Sequence, residues 1–152
     1  MEALWLEQLK KNPLFQYLST GEIVAILELA VKQDYEKGDL VFKEDDEAKN
    51  LFIIETGLVA MTKRIKANTE RTIVTETKGG AFGWSALLVP YRYSTSAICR
   101  EPSHLLALEG TKLRKLCYQK PEMGMKVMEG LAQFMADRIY STNLRLIDAM
   151  WI

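Results

Sequence analysis

The sequence predicts a mainly β domain flanked by helices, in which the strands form an antiparallel barrel or jelly roll. Three consecutive blocks carry this prediction: a helical lead-in at residues 1–30, a β-rich block at residues 31–109 and helices again at residues 110–150. The β-rich block holds seven or eight short runs with turn residues between them and no helices, which favours antiparallel over parallel pairing. With 152 residues, the chain 1–152 is expected to form one domain.

The lead-in begins with an amphipathic segment that ends at Asn12-Pro13. Ser19 or Thr20 then offers a side-chain oxygen to cap a second helix. Apolar residues follow at helical spacing, namely Ile23, Ile26, Leu27 and Ala30.

The β-rich block is read from short alternating or continuous apolar runs between turn residues such as Lys37-Gly38-Asp39 and Thr56-Gly57. The pattern is interrupted at residues 83–92, where one segment is long enough for only a single helical turn. The predicted strands are Val31–Tyr35, Leu40–Phe42, Leu51–Glu55, Leu58–Lys63, Arg71–Glu76, Thr95–Cys99 and Leu105–Leu108.

The last block predicts a short helix at Thr111–Tyr118 and a longer one from about Pro121 to Asp148. The longer helix would measure roughly 40 Å, more than one face of a compact domain covers. Its apolar stripe either packs on the barrel alone or also pairs with the same helix of a second chain. The residues predicted for such a dimer interface are Met128, Leu131, Met135, Ile139, Thr142 and Leu146.

Charge and composition argue against several classes of protein. Twenty basic and twenty acidic residues cancel, which removes the usual electrostatic basis for binding nucleic acid. The middle third, residues 51–100, holds 7 basic against 3 acidic residues, an excess that either solvates a surface or favours a small anion. No apolar stretch is long enough to cross a bilayer and no signal peptide is recognisable, so we expect a cytoplasmic protein without a membrane partner.

Few residues suggest metal binding or catalysis. Cys99 and Cys117 lie among apolar residues, which favours reduced core cysteines over a disulfide or a metal pair. With His104 as the single histidine, a zinc site lacks ligands and an enzyme lacks a paired acid and base. We therefore expect no metal, no certain cofactor and no enzymatic activity.

The most informative stretch contains the interruption at residues 83–92. It runs from Gly79-Gly80 through Phe82-Gly83-Trp84 to Ser94-Thr95-Ser96-Ala97. A single helical turn presents unpaired backbone N–H groups, so a small anion could bind there, although such a turn can also be a plain connection. The candidate ligand-binding residues are Phe82, Gly83, Trp84, Ser85, Ala86, Arg92, Tyr93, Ser94 and Thr95.

These features together resemble the cyclic nucleotide-binding domain family, of the catabolite-activator and protein-kinase-regulatory type. The resemblance covers nearly the whole chain, and three stretches carry it besides the interruption: residues 35–42 (YEKGDLVF), residues 51–59 (LFIIETGLV) and the Leu105–Leu108 run. It implies a double-stranded β-helix (jelly-roll) barrel with N-terminal helices and a long C-terminal helix. It also implies that the interruption is a phosphate-binding cassette.

In that family, a Phe-Gly-Glu motif supplies a carboxylate for the ribose 2′-hydroxyl and a later Arg pairs with the cyclic phosphate. Here Trp84 stands at the Glu position and Tyr93 at the Arg position, with Arg92 one residue earlier. A shift of one residue in a strand reverses the side chain's direction, so Arg92 is either a solvated residue or a phosphate ligand placed by a slipped loop. Trp84 either fills the pocket or offers a stacking face.

Losing one member of a buried charged pair typically costs about 2–5 kcal/mol, so binding of cAMP or cGMP is expected to be weak. The resemblance implies a non-enzymatic regulatory module that binds a small ligand, anionic or nucleotide-like, and signals through its C-terminal helix to an unknown protein partner. The alternative is a degenerate domain that has lost the ligand and serves as an interaction or dimerisation scaffold. A DNA-binding regulator is disfavoured because no helix-turn-helix is recognisable.

Overall fold

The chain folds into a β sandwich, which a computed structural model describes for residues 3–151. Two four-stranded antiparallel sheets pack face to face, with strand orders β1-β8-β3-β6 and β2-β7-β4-β5. The predicted jelly-roll architecture is therefore confirmed, and its two sheets form a sandwich that is not closed into a barrel. Within the described residues no strand pairs from one sheet to the other, and the edge strands β2 and β6 have only three and two residues with which to do so.

The strands agree with the predicted runs and are longer at several ends. The additional strand β6 was not predicted. The strands are β1 Val31–Tyr35, β2 Leu40–Phe42, β3 Asn50–Thr56, β4 Leu58–Lys66, β5 Thr69–Thr77, β6 Ala81–Phe82, β7 Ser96–Cys99 and β8 Ser103–Glu109.

The helices flank the sandwich as predicted. Ser19 is the N-cap of α2: its hydroxyl accepts from the Glu22 backbone N–H at 3.2 Å, and the Glu22 carboxylate accepts from the Ser19 N–H at 2.9 Å. None of the helices within residues 3–151 combines the length and apolar character needed to cross a membrane. The α-helices are α1 Ala3–Lys10, α2 Thr20–Leu27, α3 Gly110–Gln119 and α4 Pro121–Met150, and short 3-10 turns cover Pro13–Phe15 and Trp84–Leu87.

Aromatic rings fill the core between the two sheets beneath the Trp84–Leu87 turn. Phe52 and Phe82 stack with their centroids 5.2 Å apart, and Phe42 lies 6.0 and 5.9 Å from them. Tyr93 completes the cluster, stacking on Phe42 at 3.6 Å. Because the rings come from both sheets, they join the sandwich at the point where the turn sits.

The two halves of α4 have different surroundings. The first half packs closely on the Pro13–Phe15 turn, since a Cβ at Gly130 would lie 2.3 Å from the Pro13 carbonyl oxygen. Leu131 is buried there in the chain's own core, so it does not belong to the exposed stripe proposed for a dimer. The other five stripe residues are exposed, and every residue from Ile139 to Met150 is exposed.

Candidate functional site

The candidate site is built around residues 81–95, which we call the cassette segment. It starts at β6, turns at Gly83 and enters the Trp84–Leu87 turn. Gly83 has φ +84°, a conformation that side-chain-bearing residues rarely adopt, and its ideal Cβ position lies 3.0 Å from the Asn50 carbonyl oxygen. The backbone N–H groups at the start of the turn that follows were predicted as donors to a ligand. No side chain caps this turn.

Helix α3 holds the outer side of the cassette segment. Arg114 donates a hydrogen bond from Nη1 to the Ala86 carbonyl oxygen, and its guanidinium carbon lies 4.2 Å from the centroid of the Tyr91 ring. Ala86 is fully buried and does not contribute to the cavity wall described below, and its role as a ligand contact stays a prediction. The Arg114 contacts therefore tie the cassette segment to the C-terminal helices.

Tyr93 is held by contacts within the protein, at the position where the family that the sequence resembles carries an arginine. Its hydroxyl donates to the Asn50 carbonyl oxygen at 2.6 Å and accepts from the Asn50 N–H at 3.2 Å. Burial raises the pKa of the phenol, and the ring stacks on Phe42. The hydroxyl is thus engaged with the backbone, while the ring forms part of the cavity wall.

Arg92 points away from the cavity. It is exposed, and its Nη1 donates to the Asp45 carbonyl oxygen at 2.9 Å. The backbone on either side explains this orientation, since Tyr93 exchanges hydrogen bonds with Asp45 and Asp46 and the alternation turns Tyr93 inward. Arg92 therefore lies where the interpretation as a solvated residue places it and not in the cavity wall, and its role as a phosphate ligand stays a prediction.

A cavity of about 320 Å³ lies between the cassette segment, the sheet ending in β5 and helix α4. Its size is at the lower end of the range for small-molecule sites. Seven of the nine predicted binding residues line it: Phe82, Gly83, Trp84, Ser85, Tyr93, Ser94 and Thr95. The remaining wall consists of Phe42, Met61, Ile73, Val74, Glu76, Ala81, Leu88, Phe134, Met135, Arg138 and Thr142.

Helix α4 forms one wall of the cavity through an aromatic contact with the cassette segment. The rings of Trp84 and Phe134 stack with centroids 4.6 Å apart and an interplanar angle of 28°. Trp84 therefore lines the cavity and stacks on the protein itself, while the space beside it stays open. The residue at the family's Glu position thus connects the cassette segment directly to the C-terminal helix.

One ion pair lies in the cavity wall, between β5 and α4. Glu76 Oε1 and Arg138 Nη2 are 3.4 Å apart, and the Arg138 guanidinium lies 4.8 Å from the centroid of the Phe134 ring. Burial raises the pKa of the Glu76 carboxyl, and the positive charge of Arg138 offsets part of that rise. The cavity thus contains one cationic and one acidic side chain within an apolar surround.

Three functional candidates in this wall were missed by reasoning along the cassette segment: Glu76, Phe134 and Arg138. A signal for each exists in the sequence. Glu76 lies two residues after Val74 on β5, which places both on one face of the strand. Phe134 and Arg138 are four residues apart on α4, which places both on one side of the helix. The sequence does not indicate that these faces meet.

The cysteines have no partner in the described structure. Cys99 is buried and Cys117 half-buried, both are free thiols, and burial raises the pKa of each. Among residues 3–151 no cluster of three or more His, Cys, Asp or Glu side chains is placed to hold a metal ion.

A jelly-roll sandwich whose glycine-led turn faces a cavity, with a C-terminal helix against it, defines a class of regulatory domains with an internal ligand pocket. The chain belongs to the cyclic nucleotide-binding domain family, whose model matches residues 32–120. The fold and the family thus agree with the resemblance seen in the sequence.

Known proteins similar to the chain include regulators from bacteria and a protist. The cyclic AMP receptor protein of Thermus thermophilus is 28% identical over 91% of this chain and 62% of its own length. The crystal structure of the Thermus thermophilus catabolite activator protein superposes with a TM-score of 0.78 at 28% identity, over 88% of this chain and 61% of that one. The cAMP-dependent protein kinase regulatory subunit of Dictyostelium discoideum is 26% identical over 82% of this chain and 38% of its own. The chain therefore spans less than two thirds of these relatives.

Proposed function

We propose that this chain is a non-enzymatic sensor domain that binds a small ligand in the cavity and passes the signal through α4. The observation that carries the proposal is the shared wall: the cassette segment and α4 line one cavity, and Trp84 and Phe134 stack across it. The relatives named as a cyclic AMP receptor and a kinase regulatory subunit support a regulatory role.

The mechanism follows from the position of α4. A ligand can shift the helix only if it binds two arrangements of the domain with unequal affinity. A ligand in the cavity contacts the cassette segment on one side and Phe134, Met135, Arg138 and Thr142 on the other. Any change in the separation of the two walls therefore changes the ligand's contacts, and the exposed second half of α4 carries the movement to a partner.

The proposal is tested by titrating cAMP and cGMP while following thermal unfolding, with hydrogen exchange of α4 as the signalling readout. A ligand at a hundred times its dissociation constant stabilises a protein by about 2.7 kcal/mol. If binding is weak, we expect the unfolding temperature to rise only at high nucleotide concentration. The hydrogen exchange of residues 134–142 should change at the same concentrations. Thr95→Phe, which fills the cavity, should abolish the shift, and Thr69→Phe on the exposed β4–β5 hairpin should preserve it. No shift at millimolar nucleotide would refute cyclic-nucleotide sensing.

A scaffold that has lost its ligand is the second candidate, and Tyr93 favours it. The family's phosphate-binding arginine is replaced by a side chain whose hydroxyl is engaged by Asn50 and whose ring is stacked on Phe42. A scaffold requires an exposed surface for its partner. The exposed stripe Met128, Met135, Ile139, Thr142 and Leu146 on α4 supports a homodimer, in which a second copy of the chain covers these residues.

The sensor and the scaffold differ in whether a cyclic nucleotide changes the stability of the protein and the hydrogen exchange of α4. A scaffold associates through α4 with or without cAMP or cGMP, and its unfolding temperature does not depend on either nucleotide. A sensor changes both its stability and the exchange of α4 when the cavity is filled. Measuring association and stability in the same titration separates them.

A further inference from the structure

The ion pair in the cavity wall is geometrically weak. Its 3.4 Å separation exceeds the usual 2.7–2.9 Å of a charged hydrogen bond. An arginine side chain carries five N–H donors, and Glu76 is the sole hydrogen-bond acceptor that the Arg138 side chain has among the described residues. Its guanidinium is thus held beside the Phe134 ring with donors to spare.

In this ion pair, the Glu76 carboxylate is more buried than the Arg138 guanidinium, which disfavours its charged form. The Glu76 side chain is 24% exposed against 41% for Arg138, and within the described residues Arg138 is its sole hydrogen-bond partner. The other charged or titratable groups around Glu76 are Tyr93 in the same cavity and Lys11 and Lys78 in the cavity on its other side. Burial already raises the pKa of Glu76, so the carboxyl can take up a proton if Arg138 turns to another anion.

The rest of the wall favours a flat apolar body on the ligand. Aromatic side chains face the cavity from the core, from the cassette segment and from α4, and the hydroxyls of Ser85, Ser94 and Thr95 lie among them. Aromatic walls with a single cationic side chain suit a planar ligand that carries one negative charge.

We propose that Arg138 is the anion anchor of this cavity, binding the carboxylate or phosphate of a planar aromatic ligand in place of Glu76. The inference rests on the proposed function only in requiring that the cavity takes a ligand. In this arrangement α4 supplies the guanidinium that the cassette segment lacks at Tyr93. Binding moves the partner of Arg138 from Glu76 to the ligand, and the anion is bound more tightly at lower pH because Glu76 can then be protonated.

The test uses isothermal titration with naphthalene-2-carboxylate and its neutral counterpart naphthalene-2-carboxamide, together with cAMP and cGMP. The intact chain should bind the carboxylate about tenfold or more tightly than the amide, because only the carboxylate accepts a hydrogen bond from Arg138 as a charged group. Arg138→Met keeps the apolar stem and should remove the preference. Arg145→Met, on the exposed end of the same helix, should retain it. Glu76→Gln should tighten carboxylate binding and reduce its pH dependence.

The inference is overturned if acid and amide bind equally, if Arg138→Met keeps the preference while remaining folded, or if none of the four probes binds the intact chain. Thermal unfolding of each variant establishes that it is folded. Cyclic nucleotides that bind the intact chain and Arg138→Met equally overturn the anchor but leave the sensor. Conversely, Arg138-dependent binding of the carboxylate with unchanged hydrogen exchange in α4 supports the anchor and refutes signalling through that helix.

Discussion

At the scale of single residues, Tyr93 fastens the loop before β7 to the strand opposite. Its hydroxyl bonds both backbone groups of Asn50, and its ring stacks on Phe42. Tyr93→Phe keeps the stacking and leaves these backbone groups without that partner. We expect the free energy of unfolding to fall by about 1–3 kcal/mol, measured by denaturant titration. Tyr118→Phe, at a site that is 85% exposed, is the control and should change little. Unchanged stability in Tyr93→Phe would contradict the role assigned to the hydroxyl.

Glu76 makes a prediction with a definite sign in pH. Its pKa is higher in the folded protein than in the unfolded chain, since burial outweighs the attraction of Arg138. Between these two pKa values the folded state holds more protons, so the contribution of Glu76 to stability is present at low pH and is lost as pH rises through its folded pKa. Glu76→Gln removes this loss.

The stability of Glu76→Gln relative to the intact chain should therefore increase between about pH 4 and about pH 7. Denaturant unfolding across this range measures the effect, and Glu129→Gln on the exposed side of α4 is the control. The prediction would be contradicted if the stability of Glu76→Gln relative to the intact chain were constant with pH or fell as pH rises. The lost attraction to Arg138 does not reverse this sign, since it lowers the pKa of Glu76 by less than burial raises it.

The cavity could be predicted from the sequence only along one stretch of chain. Phe82 to Ser85 and Tyr93 to Thr95 were found because the interruption in the strand pattern marks them directly. Glu76 and Arg138 lie 62 positions apart, and they meet only because α4 packs back across β5. The two alternatives for Arg92 stayed open in the sequence for the same reason, since its direction depends on the backbone pairing of Tyr93 with Asp45 and Asp46, which the local pattern does not reveal.

At the scale of elements, strand boundaries were predictable where alternation and turn residues agreed. Val31–Tyr35 and Leu40–Phe42 are strands over the predicted residues. Strand β6 was missed because two residues carry no periodicity, and its pairing with Phe52 and Ile53 in β3 defines it instead. Whether the jelly roll closes into a barrel could not be predicted, because the number of strands does not determine whether the edges of the two sheets meet.

The contact between the cassette segment and α4 is expected to be energetically measurable. The rings of Trp84 and Phe134 stack at 4.6 Å, and such pairs contribute about 0.5–1.5 kcal/mol beyond the apolar area they bury. A double-mutant cycle of Trp84→Ala and Phe134→Ala should return a coupling free energy of this size, measured by denaturant unfolding. The matched cycle pairs Trp84→Ala with Tyr140→Ala, an exposed ring on the same helix, and should return none. Equal couplings in the two cycles would mean that the stack does not join the two elements.

At the scale of the whole molecule, the second half of α4 is not buried by the rest of the chain. Thirty residues correspond to about 45 Å of helix, and its buried residues all lie between Met123 and Leu131. The apolar residues of the second half are exposed, among them Ile139 and Leu146 at about 60% each. An apolar helix face left in water favours association, and two copies of one helix can cover each other about a twofold axis.

The dimer prediction can be tested with charges on opposite sides of that helix. At 100° per residue, Ile139 and Leu146 share one side of α4, whereas Ser141 lies about 160° from Ile139 and about 140° from Leu146. We expect the intact chain to sediment as a dimer at micromolar concentration, with a concentration-dependent unfolding temperature. Ile139→Glu with Leu146→Glu should give a monomer, because pairing would then bury like charges without partners. Ser141→Glu should remain dimeric. If the intact chain sediments as a monomer, or if Ser141→Glu dissociates the dimer as fully as the double variant, the stripe is not the interface.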